Sequence, residues 1–484
     1  MSNENTGEKI VSGMFWRFGE KITAQVVSFI VSIVLARILM PEDYGVVAIV
    51  NVFIAIAEVF VTSGLGTALI QKKDATQLDF STLFWCNMAL SCLLYLMMFF
   101  LSPVIADFYD MPLLTPVLRV FSLRLPICAF NSIQNAYVSR RMDFKKFFFS
   151  TLIGTVISAV IGIVMALKGF GVWALVAQYL SNAVIDTLVL FITVGWRPHF
   201  EFSGKAAGPL VSYGWKILAT DLIGTAFNQL NSFIIGKKYT SEDLAYYSQG
   251  KKIPDLLNTN ISATLTAVLF PAMSLTENRE EIIAIRRKSL KMLAYVLFPM
   301  MFGMIVVADN MVITLLTEKW ILAVPFVRIA CLEAILGVMG TTLIQEIKAI
   351  GRSDITLKLE LIKKPVYLVI VVAAMFFGVK AIAWTGVLIS VIAFFINVIP
   401  VKKYIGFDFK MHFLDAWPAL WMSAVMCAAV YGVGYLVPNT LWCLVVQVLL
   451  GAAIYIGLSM VTKNESLQYL IGMLKTKMHI GQNK

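Results

Sequence analysis

Ionisable side chains stand inside runs of this sequence that are otherwise apolar, and their types narrow the chemistry open to them. The basic ones are Arg17, Lys21, Arg119, Arg124, Lys216, Lys251, Lys252 and Arg328; the acidic ones are Glu20, Glu58, Asp221 and Glu333. A guanidinium grips phosphate oxygens through paired N–H donors, and an ammonium adds a mobile point charge. Eight cations against four carboxylates therefore suit an anionic ligand such as a diphosphate. Glu58 and Asp221 lie deepest in their runs. With Glu20 they are the candidates to carry a proton or a sodium ion, because a desolvated carboxylate takes up either more readily than one in water.

Nothing among the other reactive residues suggests catalysis. His199, His412 and His479 fall in loops or the tail, and the six cysteines (Cys86, Cys92, Cys128, Cys331, Cys427, Cys443) sit in apolar runs without metal-ligand spacing. They are expected to be packing residues rather than a disulfide framework. No catalytic residue, metal site or cofactor is expected.

The elements that must position the charges follow from composition. Of 484 residues, 59% are hydrophobic and only 14% charged, with a mean hydropathy of +0.80. A soluble domain carries about 25% charged residues, so this chain cannot wet a globular surface. Apolar runs of about 20 residues recur, each long enough to cross ~30 Å of hydrocarbon. We place spans at 14–38, 44–70, 80–104, 114–138, 147–167, 171–195, 210–236, 244–273, 290–316, 321–350, 359–378, 381–401, 413–437 and 441–461. The expected fold is all-α: a polytopic membrane protein of about fourteen transmembrane helices. The first span is expected to stay uncleaved, since no small-residue cleavage site follows a short apolar core.

The net charge of +11 is spread over short connecting segments rather than gathered in a basic domain, so nucleic acid is not the expected partner. With the N-terminus inside, 28 of the 40 Lys and Arg residues lie in or beside the inner segments and 6 beside the outer ones. That bias predicts cytoplasmic N- and C-termini.

The first twelve spans contain a repeat. Trp16-Arg17 recurs as Trp215-Lys216, Glu42-Asp43 as Glu242-Asp243, and PVLRVFSL (116–123) as PFVRIACL (325–332). Six helices per block is an even number, so the halves share one orientation. The expected organisation is an N-lobe over 1–205 (helices 1–6), a C-lobe over 206–405 (helices 7–12), and helices 13–14 with a cytoplasmic tail over 406–484. Charged and polar faces recur on helices 1, 2, 4, 7, 8 and 10, which predicts a cationic, water-filled cavity between two six-helix lobes. In a continuous fourth helix Arg119 and Arg124 would sit about 140° apart. Arg124 would then share a face with Asn131 and Gln134. Arg119 recurs as Arg328, whereas Glu333 takes the place of Arg124.

LARILMPEDYG (35–45), FYDMPLLTPVLRVFSL (108–123), SRRMDFKKF (139–147) and NTNISATLTAVLFPAMS (258–274) together resemble the Wzx-type polysaccharide flippases. These form part of the multidrug, oligosaccharidyl-lipid and polysaccharide exporter superfamily, and the last segment resembles its colanic-acid exporter branch. The resemblance spans essentially the whole chain. It implies a V-shaped transporter of two six-helix repeats plus two extra C-terminal helices in the bacterial inner membrane. It also implies alternating access that moves undecaprenyl-diphosphate-linked oligosaccharide units to the outer leaflet, for O-antigen, capsule or exopolysaccharide. Membrane lipids, a polymerase and other polysaccharide-assembly proteins would be its partners, with H+ or Na+ as candidate coupling ions.

Other functions compete. A drug or cation antiporter of the same superfamily would share the twelve-helix core but favour carboxylates in its cavity. A lipid II flippase would share both fold and anionic lipid. A membrane polysaccharide polymerase or ligase would need acidic or histidine side chains on a substantial outer loop, and the outer loops here are short.

Overall fold

The computed structural model describes residues 3–276, 278–406, 408–436 and 440–472. Lys475, Lys477 and His479 of the expected tail lie outside them. The described residues contain no strand, and packing divides the chain into two units, Met1–Ala245 and Tyr246–Lys484.

The first unit holds α1 (Asn3–Ile38), α2 (Pro41–Thr62), α3 (Leu65–Gln71), α4 (Gln77–Phe108), α5 (Leu114–Phe121), α6 (Arg124–Arg141), α7 (Lys145–Leu167), α8 (Val172–Thr193) and α9 (Gly204–Lys238). It also holds the first turn of α10 (Ser241–Ser274). The second unit holds the rest of α10, then α11 (Arg279–Leu316), a 3-10 turn (Glu318–Ala323), α12 (Val324–Ala349) and α13 (Ser353–Ala374). It ends with α14 (Val379–Tyr404), α15 (Phe409–Leu436) and α16 (Thr440–Val461).

All fourteen expected spans fall on helices, and ten of these segments are long and apolar enough to cross a membrane. The other four expected spans run through α5–α6, α9, α10 and α13. These carry Arg119 and Arg124, Lys216 and Asp221, Lys251 and Lys252, and Glu360, Lys363 and Lys364. In the first three of these, the charge that marks them as functional candidates is also what makes them weak membrane signals.

Two spans expected to be continuous are broken, each for a local reason. Gly64 adopts φ +86°, and a Cβ there would meet the Gly214 carbonyl oxygen of α9 at 2.3 Å, so only glycine fits between α2 and α3. Between α5 and α6, Pro126 has no N–H to give the Ser122 carbonyl and its ring crowds that oxygen. The Leu125 N–H donates to Ser122 O instead, at 2.9 Å. The 140° separation of Arg119 and Arg124 therefore does not hold, because they stand on different helices.

The repeated motifs have matching structural jobs. The Asp43 carboxylate caps α2 by accepting from Met40 N at 3.1 Å, and Asp243 caps α10 by accepting from Thr240 N at 3.3 Å. The two helix starts meet where a Cβ on Gly45 would lie 1.9 Å from the Ser241 carbonyl oxygen. Arg119 Nε donates to Phe99 O at 3.3 Å, and Arg328 Nε donates to Ile305 O at 3.2 Å. Each arginine ties its helix to the preceding one. α7 and α8 pack closely because Gly154 faces Asn182 and Asp186, and Gly162 faces Gln178. Apolar cores around Leu69, Phe84, Ile133 and Leu190 in one unit, and Ile282, Leu343, Ile347 and Val401 in the other, fix the remaining helices.

His412 corrects an expectation. It lies inside α15, only 2% exposed, with Nε2 3.0 Å from the Met339 carbonyl oxygen. It is a packed helix residue rather than a loop residue.

Candidate functional site

Glu58 lies near the end of α2, the last turn before the Gly64 break, where Thr62 Oγ1 donates to its carbonyl at 2.9 Å. Arg124 opens α6, directly after the Ser122–Leu123 turn. The two breaks bring these side chains together: Arg124 Nη2 lies 3.3 Å from Glu58 Oε1, and the side chains keep 27% and 23% of their surface. Cys128, one turn along α6, donates its thiol to the same carboxylate oxygen at 3.4 Å. Arg124 Nε is buried without a hydrogen-bond partner, so the guanidinium is not saturated by protein. This pairing gives Glu58 of α2 a charge partner on α6.

Glu58, Cys128 and Asn131 line a cavity of ≈ 300 Å³ together with Thr62, Ser132 and Asn135. Behind it Asn131 donates to Asp186 of α8 at 2.8 Å. Gln134, expected on the same face as Arg124, is wholly buried, and neither end of its amide has a partner. The cavity wall is thus polar on α6, carboxylate on α2, and braced from α8. Arg124 reaches Glu58 of this wall from the start of α6.

Other candidates in this unit are placed differently. Arg17 and Glu20 form an i, i+3 pair at 2.6 Å on α1, with Arg17 over the Phe147 ring at 5.0 Å and Thr151 donating to Glu20 at 3.2 Å. Arg119 Nε also donates to Ser102 Oγ at 3.1 Å, and the guanidinium stacks over Phe99 at 4.3 Å, which holds the side chain against the α4–α5 hairpin. Lys21, Lys216 and Asp221 are exposed, and among the described residues no ion pair joins them.

The second unit has its own charge group. Lys251 of α10 pairs with Glu333 of α12 at 3.0 Å, beside the Tyr247 ring and within electrostatic reach of Asp255. Gly386 of α14 makes room for it: a Cβ there would lie 2.4 Å from the Glu333 carboxylate. Lys252 follows Lys251 on α10 and is exposed. Arg328, besides its backbone bond, pairs with Asp309 of α11. Glu333 occupies the repeat position of Arg124, so each unit carries an arginine- or lysine-to-glutamate pair with the sign of that position reversed.

Sequence reasoning missed Cys128, Asp186, Asp415 and the Arg286–Glu346 pair. The last joins α11 to α12 at 3.2 Å with side chains 3% and 0% exposed. Asp186 and Asp415 carried a usable signal, since each is a carboxylate within an apolar span.

The family model described as "Polysaccharide biosynthesis protein" matches residues 34–325. The chain is 24% identical over 467 residues to the succinoglycan biosynthesis transport protein ExoT of Rhizobium meliloti (strain 1021), covering 93% of this chain and 92% of that one. It is 24% identical over 446 residues to the lipopolysaccharide biosynthesis protein WzxC of Escherichia coli (strain K12), covering 90% and 89%. Its fold is similar to a solved structure of the lipid II flippase MurJ in an inward closed conformation, with TM-score 0.76, 13% identity, and 94% and 100% of the two chains covered.

Proposed function

The chain belongs to the polysaccharide biosynthesis protein family, and we propose that it flips undecaprenyl-diphosphate-linked oligosaccharide units across the bacterial inner membrane for surface polysaccharide assembly. Both termini are then cytoplasmic, and the protein moves its substrate by alternating access without making or breaking a covalent bond. The division into six-helix N- and C-lobes with two accessory helices belongs to the same proposal. Relatives named for succinoglycan transport and lipopolysaccharide biosynthesis support the substrate class.

The observation that carries the reading is the partly exposed Arg124–Glu58 pair, whose Glu58 lines a cavity with Cys128 and Asn131. A substrate diphosphate brings oxygens that compete with the Glu58 carboxylate for Arg124, in the bidentate geometry a guanidinium favours. Displaced from Arg124, Glu58 keeps only the Cys128 thiol as a partner and is free to hold a cation in its place. Anion binding at one residue then loads a cation at its neighbour, which couples substrate to ion.

The test is reconstitution of the full chain into liposomes with a labelled undecaprenyl-diphosphate-linked oligosaccharide in one leaflet. Accessibility of the sugar to an added glycosidase is read over time. Protein-dependent transfer between leaflets is expected, faster for this substrate than for lipid II. Equal or greater transfer of lipid II, or efflux of a cationic dye with no sugar-lipid transfer, overturns the reading.

A further inference from the structure

A second charged site lies in the Tyr246–Lys484 unit, where α11, α15 and α16 meet at the end that the basic-residue bias assigns to the cytoplasm. Two adjoining cavities of ≈ 430 and ≈ 390 Å³ share Lys291, Glu465 and Ser466. Arg287 donates to both oxygens of Asp415, at 2.8 and 2.9 Å, and Lys291 Nζ lies 2.7 Å from Glu465. These pairs neutralise both acids of the site. Two cations are left over. Lys288 lies 3.9 Å from the centre of the Tyr469 ring, and Lys463 has no carboxylate partner among the described residues.

Lys463 is held there against its backbone preference. It adopts φ +50° to close α16, with its N–H on Met460 O at 3.1 Å and the next N–H on Ser459 O at 2.9 Å. Glycine or asparagine usually fills such a position, so a lysine there is strained. The opposite wall of the first cavity is apolar, formed by Pro418, Ala419 and Trp421. Next to it Leu414 and Trp417 of α15, and Met460 and Val461 of α16, are exposed at 53%, 45%, 60% and 81%. Such side chains at the end of a membrane-crossing helix meet lipid, not water. The site therefore has a cationic rim above an apolar wall that opens to the bilayer.

We propose that this site binds the phosphate headgroup of an anionic membrane lipid, with Lys288 and Lys463 contacting the phosphate and the acyl chains following the apolar wall. Basic pockets between membrane helices on the cytoplasmic side suit such headgroups, because the phosphate enters the low-dielectric boundary already paired. The site shares no residue with the Arg124–Glu58 cavity, and its test reads lipid binding rather than flipping.

The full chain, purified in detergent, is titrated separately with dioleoylphosphatidylglycerol, dioleoylphosphatidylcholine and inorganic phosphate, with bound lipid counted by native mass spectrometry and the thermal midpoint recorded. Phosphatidylglycerol is expected to bind and raise the midpoint, while phosphatidylcholine and inorganic phosphate at the same concentration leave it unchanged. The double variant Lys288→Ala/Lys463→Ala should weaken phosphatidylglycerol binding about thirtyfold, at the usual worth of two basic residues near a membrane surface. Lys288→Arg/Lys463→Arg should restore it. Inorganic phosphate matching phosphatidylglycerol would make this a soluble-anion site and overturn the proposal. Equal binding of phosphatidylglycerol and phosphatidylcholine, or unchanged binding by the double alanine variant, would overturn it as well.

Discussion

Arg124 and Glu58 face each other across 3.3 Å from two helices that are each interrupted within a few residues of the contact. With about a quarter of each side chain exposed, the pair is neither a solvated surface bridge nor a locked buried one. An ion pair of that kind can be opened by a stronger anion.

Arg124→Ala should therefore slow flipping sharply while the protein inserts at normal level. Loss of one charge-assisted contact costs about 1.5–3 kcal/mol, or roughly ten- to a hundredfold in substrate affinity. Arg124→Lys should recover only part of it, since an ammonium cannot grip two oxygens side by side. The liposome transfer assay decides, and wild-type transfer by Arg124→Ala removes this residue from the site.

Glu58→Gln separates coupling from binding. The amide neither competes as an anion for Arg124 nor carries a proton, so substrate affinity should hold or rise while transfer loses its dependence on the ion gradient. Transfer measured with and without an imposed proton or sodium gradient checks this. Retention of full gradient dependence would move coupling to another carboxylate.

Arg119 and Arg328 should behave as a matched structural pair. Each anchors its helix to the backbone of the preceding helix, so alanine at either should lower stability by about 1–2 kcal/mol without changing substrate affinity. Thermal midpoints beside binding isotherms distinguish this from a substrate role.

Breaking the buried Arg286–Glu346 pair should be costlier. With both side chains out of water, Glu346→Ala leaves an uncompensated guanidinium and should destabilise the protein by about 3–5 kcal/mol. The midpoint of the purified variant reads it, and a shift no larger than that of Arg119→Ala would contradict the burial argument.

Glu465 provides a pH test. The hydrogen bond and charge of Lys291 hold its carboxyl below the usual carboxylate range. A depressed folded-state pKa contributes stability that is present above the unfolded value and lost as pH falls through the folded one. Wild type should thus exceed Glu465→Gln slightly at neutral pH, by well under ~1 kcal/mol because the carboxylate is largely exposed. The difference should vanish as acid protonates Glu465. A gap that grows on acidification would refute the assignment.

The sequence by itself determined the all-α class, the membrane-spanning character and the recurrence of short motifs. Each depends on local or repeated patterns: apolar runs set by bilayer thickness, and motifs such as Glu42-Asp43 and Glu242-Asp243 that cap the same helix start twice. It also identified Arg124, Glu58, Lys251 and Glu333 as charges that needed an explanation. What it could not supply was pairing. Arg124 meets Glu58 only because Gly64 and Pro126 break two spans that hydropathy reads as continuous, and hydropathy averages over single residues. Cys128 joins them although a thiol in an apolar run looks like packing, and Arg286 finds Glu346 although it sits in a basic stretch. Periodicity along one helix tells which residues share a face. Which face meets which neighbour depends on contacts between residues far apart in the chain, and those exist only once the helices have packed.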